Sequence, residues 1–254
     1  MLEALRPAEP IAAPAADSLR GRVVLVTGAT GGLGRPCALA AAAAGATVVL
    51  SGRRVRALEG VYDVIERLGA PTPAIYPMDL LGATPKDHAE LAATIEREFG
   101  RLDGLVHAAA HFDTLQPFEQ QKPEEWARAQ HVNVTAPFLS TSACMPLLRA
   151  APDAAIVFVL DDLERVSRAF WGGYGVAKHA LRGLASIVHE ETDSSSVRTH
   201  ALLPGPMRTA LRRAAYYGED TMARPDPAHA AAAVAALLAS PCGMRGRILD
   251  LRGD

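Results

Sequence analysis

Tyr174 and Lys178, in Tyr174-Gly175-Val176-Ala177-Lys178, share one face of a helix and can act together on a proton. An ammonium group beside a phenol favours the phenolate, so a tyrosine that ordinarily titrates near about 10 is expected to ionise closer to neutral pH. The same spacing also arises by chance as an exposed helix pair with a contact energy of about 0.2–0.5 kcal/mol. Upstream stands Thr27-Gly28-Ala29-Thr30-Gly31-Gly32-Leu33-Gly34, between a β-branched run and an Ala-rich helical pattern. Glycines there permit a tight turn and close approach of the backbone to a pyrophosphate, whose charge the helix N-terminus meets. Strand, turn and helix follow in the required order, which favours a dinucleotide site over an ordinary glycine-rich connection.

The elements that must position these groups are legible as an alternation. Short apolar runs at Val23-Val24-Leu25-Val26, Thr47-Val48-Val49-Leu50, Ala74-Ile75-Tyr76, Leu105-Val106, Ala155-Ile156-Val157-Phe158-Val159, His200-Ala201-Leu202-Leu203 and Ile248-Leu249 read as strands covered on both faces. Helical patterns over 34–44, 55–68, 86–99, 123–149, 173–191 and 227–239 fill the gaps. The expected fold is α/β, a three-layer, Rossmann-type, doubly wound parallel sheet of about seven strands in a single domain over 19–254. Ligands on such sheets bind at the carboxyl ends of the strands.

Composition narrows the function. A chain of 254 residues, 49% hydrophobic, can bury the core of one such domain. A formal charge of -2 gives no reason to expect nucleic acid or an anionic membrane as partner. Cys37, Cys144 and Cys242 are widely spaced and odd in number, which fits a reducing cytoplasm, and the eight histidines show no metal-ligand spacing, so no metal is expected. Residues 1–18, rich in Ala and Pro and interrupted by charges, read as a flexible tail without the apolar core of a signal peptide, and no stretch reads as a membrane span.

Gly28-x-x-x-Gly32-x-Gly34 is similar to the Thr-Gly-x-x-x-Gly-x-Gly motif of short-chain dehydrogenases/reductases, and the resemblance spreads over residues 19–251. Asn133 in His131-Val132-Asn133-Val134-Thr135 resembles that family's helix asparagine, Tyr174 and Lys178 its catalytic pair, and Pro204-Gly205 with Thr209 its Pro-Gly-x-x-x-Thr segment. Asp79 falls where the family places an aspartate beside adenine. Arg101-Leu102-Asp103-Gly104, Trp171-Gly172-Gly173-Tyr174 and Thr209-Ala210 resemble a bacterial oxidoreductase subgroup typified by YciK. The second strand ends Val49-Leu50-Ser51-Gly52-Arg53-Arg54, with no acidic residue for a ribose 2′-hydroxyl and two arginines suited to a 2′-phosphate, so NADP(H) is the expected cofactor. The cofactor contacts expected are Thr27, Gly28, Thr30, Gly31, Gly32, Leu33, Gly34, Arg53, Arg54, Asp79, Leu80, Ala108, Ala109, Tyr174, Lys178, Pro204, Gly205 and Thr209. Pro137, lacking an N–H, leaves the carbonyl of Asn133 available to a water, which in the resemblance links the lysine to bulk solvent.

Two departures stand out. Where the family places a serine about thirteen residues before the tyrosine, this chain has Asp161, and Ser167 lies too close to Tyr174 to replace it. A serine donates to a developing alkoxide, whereas a carboxylate only accepts. Two like charges at about 4 Å repel by about 4 kcal/mol at an effective dielectric of 20, roughly a thousandfold in rate. Asp161 could instead be protonated and donate, stabilise an oxidised nicotinamide, bind a cationic or polyhydroxy substrate, or belong to a surface turn. The second departure is His107-Ala108-Ala109-Ala110 in place of an Asn-Ala-Gly segment; His107 and His111 carry no assigned role. Residues 206–224, with Arg208, Arg212, Arg213, Tyr216, Tyr217 and Arg224, are expected to set substrate specificity as a mobile lid over the nicotinamide, its arginines meeting an anionic substrate or lying on a solvated amphipathic helix.

These readings imply an NADP(H)-dependent oxidoreductase acting on a small-molecule carbonyl or alcohol, with Tyr174, Lys178, Asn133 and Asp161 as its catalytic group. The alternatives are a catalytically weak NADP(H)-binding protein with a regulatory or assembly role, and a lyase or epimerase that uses Asp161 as a base. The resemblance further implies a homodimer or homotetramer packed through the helices over 123–149 and 173–191.

Overall fold

The computed structural model describes residues 2–7, 11, 14–239 and 245–252. Among these, β1 (Glu3–Leu5), β2 (Val23–Thr27), β3 (Thr47–Gly52), β4 (Ala74–Pro77), β5 (Gly104–His107), β6 (Ala154–Val159), β7 (Val197–Leu203) and β8 (Arg247–Asp250) form one sheet in the order β1-β8-β7-β6-β5-β2-β3-β4. Every pairing is parallel. The helices are α1 (Gly34–Ala43), α2 (Val55–Arg67), α3 (Pro85–Phe99), α4 (Pro123–Gln130), α5 (Ala136–Ala150), α6 (Leu163–Val166), α7 (Gly172–Thr192), α8 (Ala210–Ala215) and α9 (Ala228–Leu238).

The continuous apolar runs are strands because both faces are covered. Val24 and Val26 of β2 pack with Cys37, Leu58, Val234 and their neighbours beneath α1, α2 and α9, while Val23 and Leu25 pack with Leu91, Ile95, Leu148 and Leu181 beneath α3, α5 and α7. The result is three layers. The chain leaves β2 towards β3 and β4, then returns to place β5 on the other side of β2. This reversal opens a crevice at the carboxyl ends of β2 and β5, where Thr27 is paired with His107.

Eight strands stand where about seven were expected, and the extra one comes from residues 1–18, expected to be a loose tail. Glu3, Ala4 and Leu5 pair with Arg247, Ile248 and Leu249 and cover the edge of β8, and the adjacent Leu2 is 4% exposed. Three residues are too few for an alternation to show in sequence. β7 also begins three residues before the expected His200, because Arg198 interrupts its apolar pattern. That guanidinium is buried; it donates to both carboxylate oxygens of Asp153 (2.7 and 3.0 Å) and to the carbonyl of Leu237 at the end of α9 (2.7 Å). Cys242 lies outside the described residues.

Candidate active site

At the end of β2 the chain turns through Gly28, whose φ is +67° and where a Cβ would lie 2.7 Å from the Cα of Ala109. A Cβ at Gly34 would lie 2.1 Å from the carbonyl oxygen of Gly28, and one at Gly32 would lie 2.8 Å from the side chain of Thr209. The turn is therefore bare backbone against the segments that follow β5 and β7. No side chain caps α1 and no acidic residue occupies its first turn, so its N-terminal dipole is not met by the protein's own side chains. These features fit a pyrophosphate.

Two clefts flank the turn. One, of about 830 Å³, is lined by Gly28, Thr30 and Gly31, by Ser51, Gly52, Arg53 and Arg54 after β3, by Asp79 and Leu80 after β4, and by Ala108–Ala110 and His111 after β5. The other, of about 870 Å³, is lined by Gly31, Gly32, Leu33, Asp161, Tyr174, Lys178, Pro204, Gly205, Thr209 and, from α8 and the turn after it, Leu211, Arg212 and Tyr216. Most of the expected cofactor contacts thus border one cleft or both. Thr27 does not: it is buried, and its hydroxyl donates to the carbonyl of Val106 (3.2 Å), tying β2 to β5. Gly34 serves the packing of the turn. Asp79 accepts from the N–H of Leu81 (3.1 Å).

In the second cleft the Tyr174 hydroxyl donates to Oδ2 of Asp161 (2.6 Å), and Oδ1 of Asp161 accepts from the N–H of Asp162 (2.7 Å). Asp161 thus bonds through both of its oxygens, one to the phenol and one to the backbone of its own turn. Lys178 donates to the carbonyl of Val159 (3.0 Å) and lies 5.6 Å from the centre of the Tyr174 ring. The expected lowering of the Tyr174 pKa is overturned. Burial and then the Asp161 charge push it well above 10, because an anion beside an anion is disfavoured. Burial lowers the Lys178 ammonium to about 8, against the pull of Asp161.

Asn133 lies in a π-helical turn, His131–Thr135, joining α4 to α5. Pro137 has no N–H to return to the Asn133 carbonyl, and the N–H of Ala136 donates to His131, one residue before its α-helical partner Val132. The Asn133 side chain donates to the carbonyls of His111 and Ala129 (both 2.8 Å) and accepts from the N–H of His111 (3.1 Å), so it pins the loop after β5. His107 is buried, stacked on Phe158 and within 2.9 Å of the Thr141 hydroxyl; burial lowers its pKa to about 3 and keeps the ring neutral. Ala110 keeps an ordinary backbone, since the described non-glycine residues with positive φ are Asp17 and Phe170. Ser167 bonds to Leu163 and His179, away from Tyr174.

Leu211 and Ala215 of α8 pack in one cluster with Tyr174. Trp171, Phe112 and Tyr216 form a continuous aromatic group with Tyr174, at centroid distances from 5.4 to 5.9 Å. Arg212 stacks 3.5 Å from the Tyr216 ring and pairs with Glu219 (2.7 Å), and Arg165 donates to the Tyr216 hydroxyl (3.1 Å). Phe112, Arg165 and Arg252 are site residues that sequence reasoning missed. Phe112 lies in a connection, Arg165 in the four-residue α6 and Arg252 just beyond β8, all too short for a periodicity to point inward.

Sheet order, crevice and bare glycine turn define a doubly wound, dinucleotide-binding α/β protein. A match to the short chain dehydrogenase family spans residues 22–220, and the chain belongs to this family of oxidoreductases. Over 215 residues it is 35% identical to the uncharacterized oxidoreductase YciK of Escherichia coli (strain K12), covering 85% of each chain. A short chain dehydrogenase structure from Pseudomonas syringae superposes with a TM-score of 0.88 at 39% identity, over 94% of this chain and 98% of that one. Another, from Escherichia coli CFT073 and complexed with NADPH, does so with a TM-score of 0.88 at 34% identity, over 93% and 99%. The resemblance read from the motifs is borne out. Among the described residues no helix is long and apolar enough to cross a membrane.

Proposed function

We propose that this protein is an NADP(H)-dependent oxidoreductase that reduces the carbonyl of a small, largely apolar molecule, with Tyr174 as proton donor. The observation that carries this reading is the meeting of Tyr174, Lys178 and the glycine turn around one cleft. Gly28, Thr30, Gly31, Gly32 and Leu33 would take the pyrophosphate, Asp79 and Leu80 the adenine side, and Ala108, Ala109, Pro204, Gly205 and Thr209 the walls towards the nicotinamide. Arg53 and Arg54 are exposed at the cleft mouth, where their guanidinium groups suit a 2′-phosphate. The relative complexed with NADPH supports this choice.

When bound, the reduced cofactor supplies a hydride to the carbonyl carbon. Tyr174, held as a neutral phenol, gives its proton to the carbonyl oxygen as that oxygen becomes an alcohol. Lys178, lowered to about 8, carries a charge that favours the phenolate left behind. Asn133 holds the loop after β5, and its carbonyl, released by Pro137, is an acceptor through which water could return a proton towards Lys178. Asp161 accepts from Tyr174 and keeps the proton on the phenol until substrate replaces it. Trp171 and Tyr216 would give the substrate an aromatic wall, with Phe112 packed against Trp171 and Tyr174.

The second reading is an NADP(H)-binding protein without turnover, favoured by the hydrogen bond that occupies the Tyr174 proton. Exposed Phe138, Val176 and Ile187 on α5 and α7 support self-association into a dimer or tetramer, and the buried free thiols of Cys37 and Cys144 suit a reducing cytoplasm. Titration with NADPH and NADH, followed by the nicotinamide absorbance with a panel of aldehydes and ketones, tests the assignment. Tight NADPH binding with carbonyl-dependent oxidation is expected; binding with no oxidation establishes the second reading. Removing both Arg53 and Arg54 should weaken NADPH at least tenfold while leaving NADH affinity within twofold, and equal losses would remove their assigned role.

A further inference from the structure

We infer that Arg252, near the carboxyl end of the chain, is a positioning residue that holds Asp161 against Tyr174 by fixing the neighbouring Asp162. The inference rests on the reading of Tyr174 and Asp161 as a proton-handling pair. Asp161 is oriented by the backbone of its own turn, because one carboxylate oxygen accepts from the N–H of Asp162 while the other accepts from Tyr174. What holds that turn therefore sets the contact.

Asp162 is held from two directions. Its Oδ1 accepts from the N–H of Arg165 (3.2 Å), capping α6, and pairs with Nη1 of Arg252 (2.9 Å). A helix of four residues has little stability of its own, so the cap alone is a weak anchor, and the partly exposed ion pair adds a second hold whose geometry is fixed by the clamping of Arg252. Arg252 is in turn clamped: Nε and Nη2 donate to the two oxygens of Asp250 (both 2.9 Å), and its N–H donates to Oδ1 (3.0 Å). Asp250 ends β8, its side chain is 5% exposed, and it also accepts from Arg6 beside β1 (3.2 Å). The planar fork thus links the sheet edge to the turn that carries Asp161. The same segment lies beneath the Pro204-Gly205 turn, where a Cβ on Gly205 would come within 3.2 Å of the Leu251 carbonyl.

The readout is the ionisation of Tyr174 in the full chain, by NMR of tyrosines labelled at the ring carbon bearing the hydroxyl, with Tyr174→Phe assigning the resonance among five. The charged and titratable groups facing Tyr174 are Asp161 after β6, Lys178 on α7, and Arg212 on α8 with Tyr216 in the turn after it. Asp161→Asn should shift the Tyr174 titration down by at least one pH unit. Arg252→Gln should shift it the same way, as should Asp162→Asn, which keeps an N-cap for α6 while removing the charge that Arg252 grips. A purely structural role for Arg252 would lower the melting temperature and leave this titration where it is. Wild-type titration in both Arg252→Gln and Asp162→Asn overturns the inference, as does an unmoved Tyr174 in Asp161→Asn, which would remove the contact Arg252 acts through. None of these results depends on turnover, so failure of wild type to oxidise NADPH would count against the proposed function and leave the Arg252 inference standing.

Discussion

A phenol that donates to a carboxylate is a different reagent from a phenol beside an ammonium group. Burial and the Asp161 charge keep the Tyr174 proton in place, which suits a donor in reduction and opposes a base in oxidation. That Tyr174 and Lys178 would border one cleft was legible in sequence, because residues four apart share a helix face, whereas Asn133 lines neither cleft and instead holds the loop after β5. The direction of the Tyr174 shift was not legible, because spacing does not show that the Lys178 ammonium bonds to Val159 while the phenol bonds to Asp161. The serine-for-aspartate exchange isolates this effect. Asp161→Ser removes the carboxyl group that meets Tyr174 and supplies a donor, so kcat for a ketone should rise, by up to about a thousandfold if the repulsion is that of two charges about 4 Å apart. Steady-state kinetics of the variant check it, and an unchanged or lower kcat would show that the carboxylate itself takes part in turnover.

At the scale of elements, the apolar runs located the central strands because both of their faces are buried, and the glycine turn located the crevice. β1 escaped detection through its length, the start of β7 through a buried arginine, and the π-helical turn through a proline that reads as a simple kink. The glycines that make the cradle separate folding from binding. At Gly28 an added Cβ meets the backbone of Ala109 in a positive-φ turn, so Gly28→Val should cost several kcal/mol, seen as a fall in melting temperature of about 10 °C or more. At Gly32, where φ is not positive, it meets Cγ2 and Cβ of Thr209 at 2.8 and 2.9 Å and the Thr209 Cα at 3.5 Å, so Gly32→Ala should displace Thr209, cost less stability than Gly28→Val and weaken NADPH about tenfold. Calorimetric melting and fluorescence titration distinguish the two; equal melting losses would contradict the geometry.

Across the whole molecule, buried histidines tie stability to pH. Burial lowers His107 and His200 to about 3, so both stay neutral in the fold while an unfolded chain protonates them near 6.5. A depressed folded pKa means stability is full above the unfolded value and falls as pH drops. Between about pH 6 and 4, unfolding should take up about two protons, each lowering stability by about 1.4 kcal/mol per pH unit. Asp153 and Asp250, both held at about 2 by arginines, extend the loss below pH 4. Urea melts across this range check the slope, and a flat profile would show that the histidines are not buried as neutral rings.

The central claim is that Tyr174 delivers a proton while NADPH is consumed by a carbonyl. Its most direct test is the rate of NADPH oxidation with the carbonyl panel for wild type and Tyr174→Phe, with NADPH affinity measured alongside. Turnover by wild type, a loss of at least a hundredfold in the variant, and NADPH affinity unchanged within about twofold are expected. Equal rates in the two proteins, or no oxidation by wild type with NADPH bound, would contradict it.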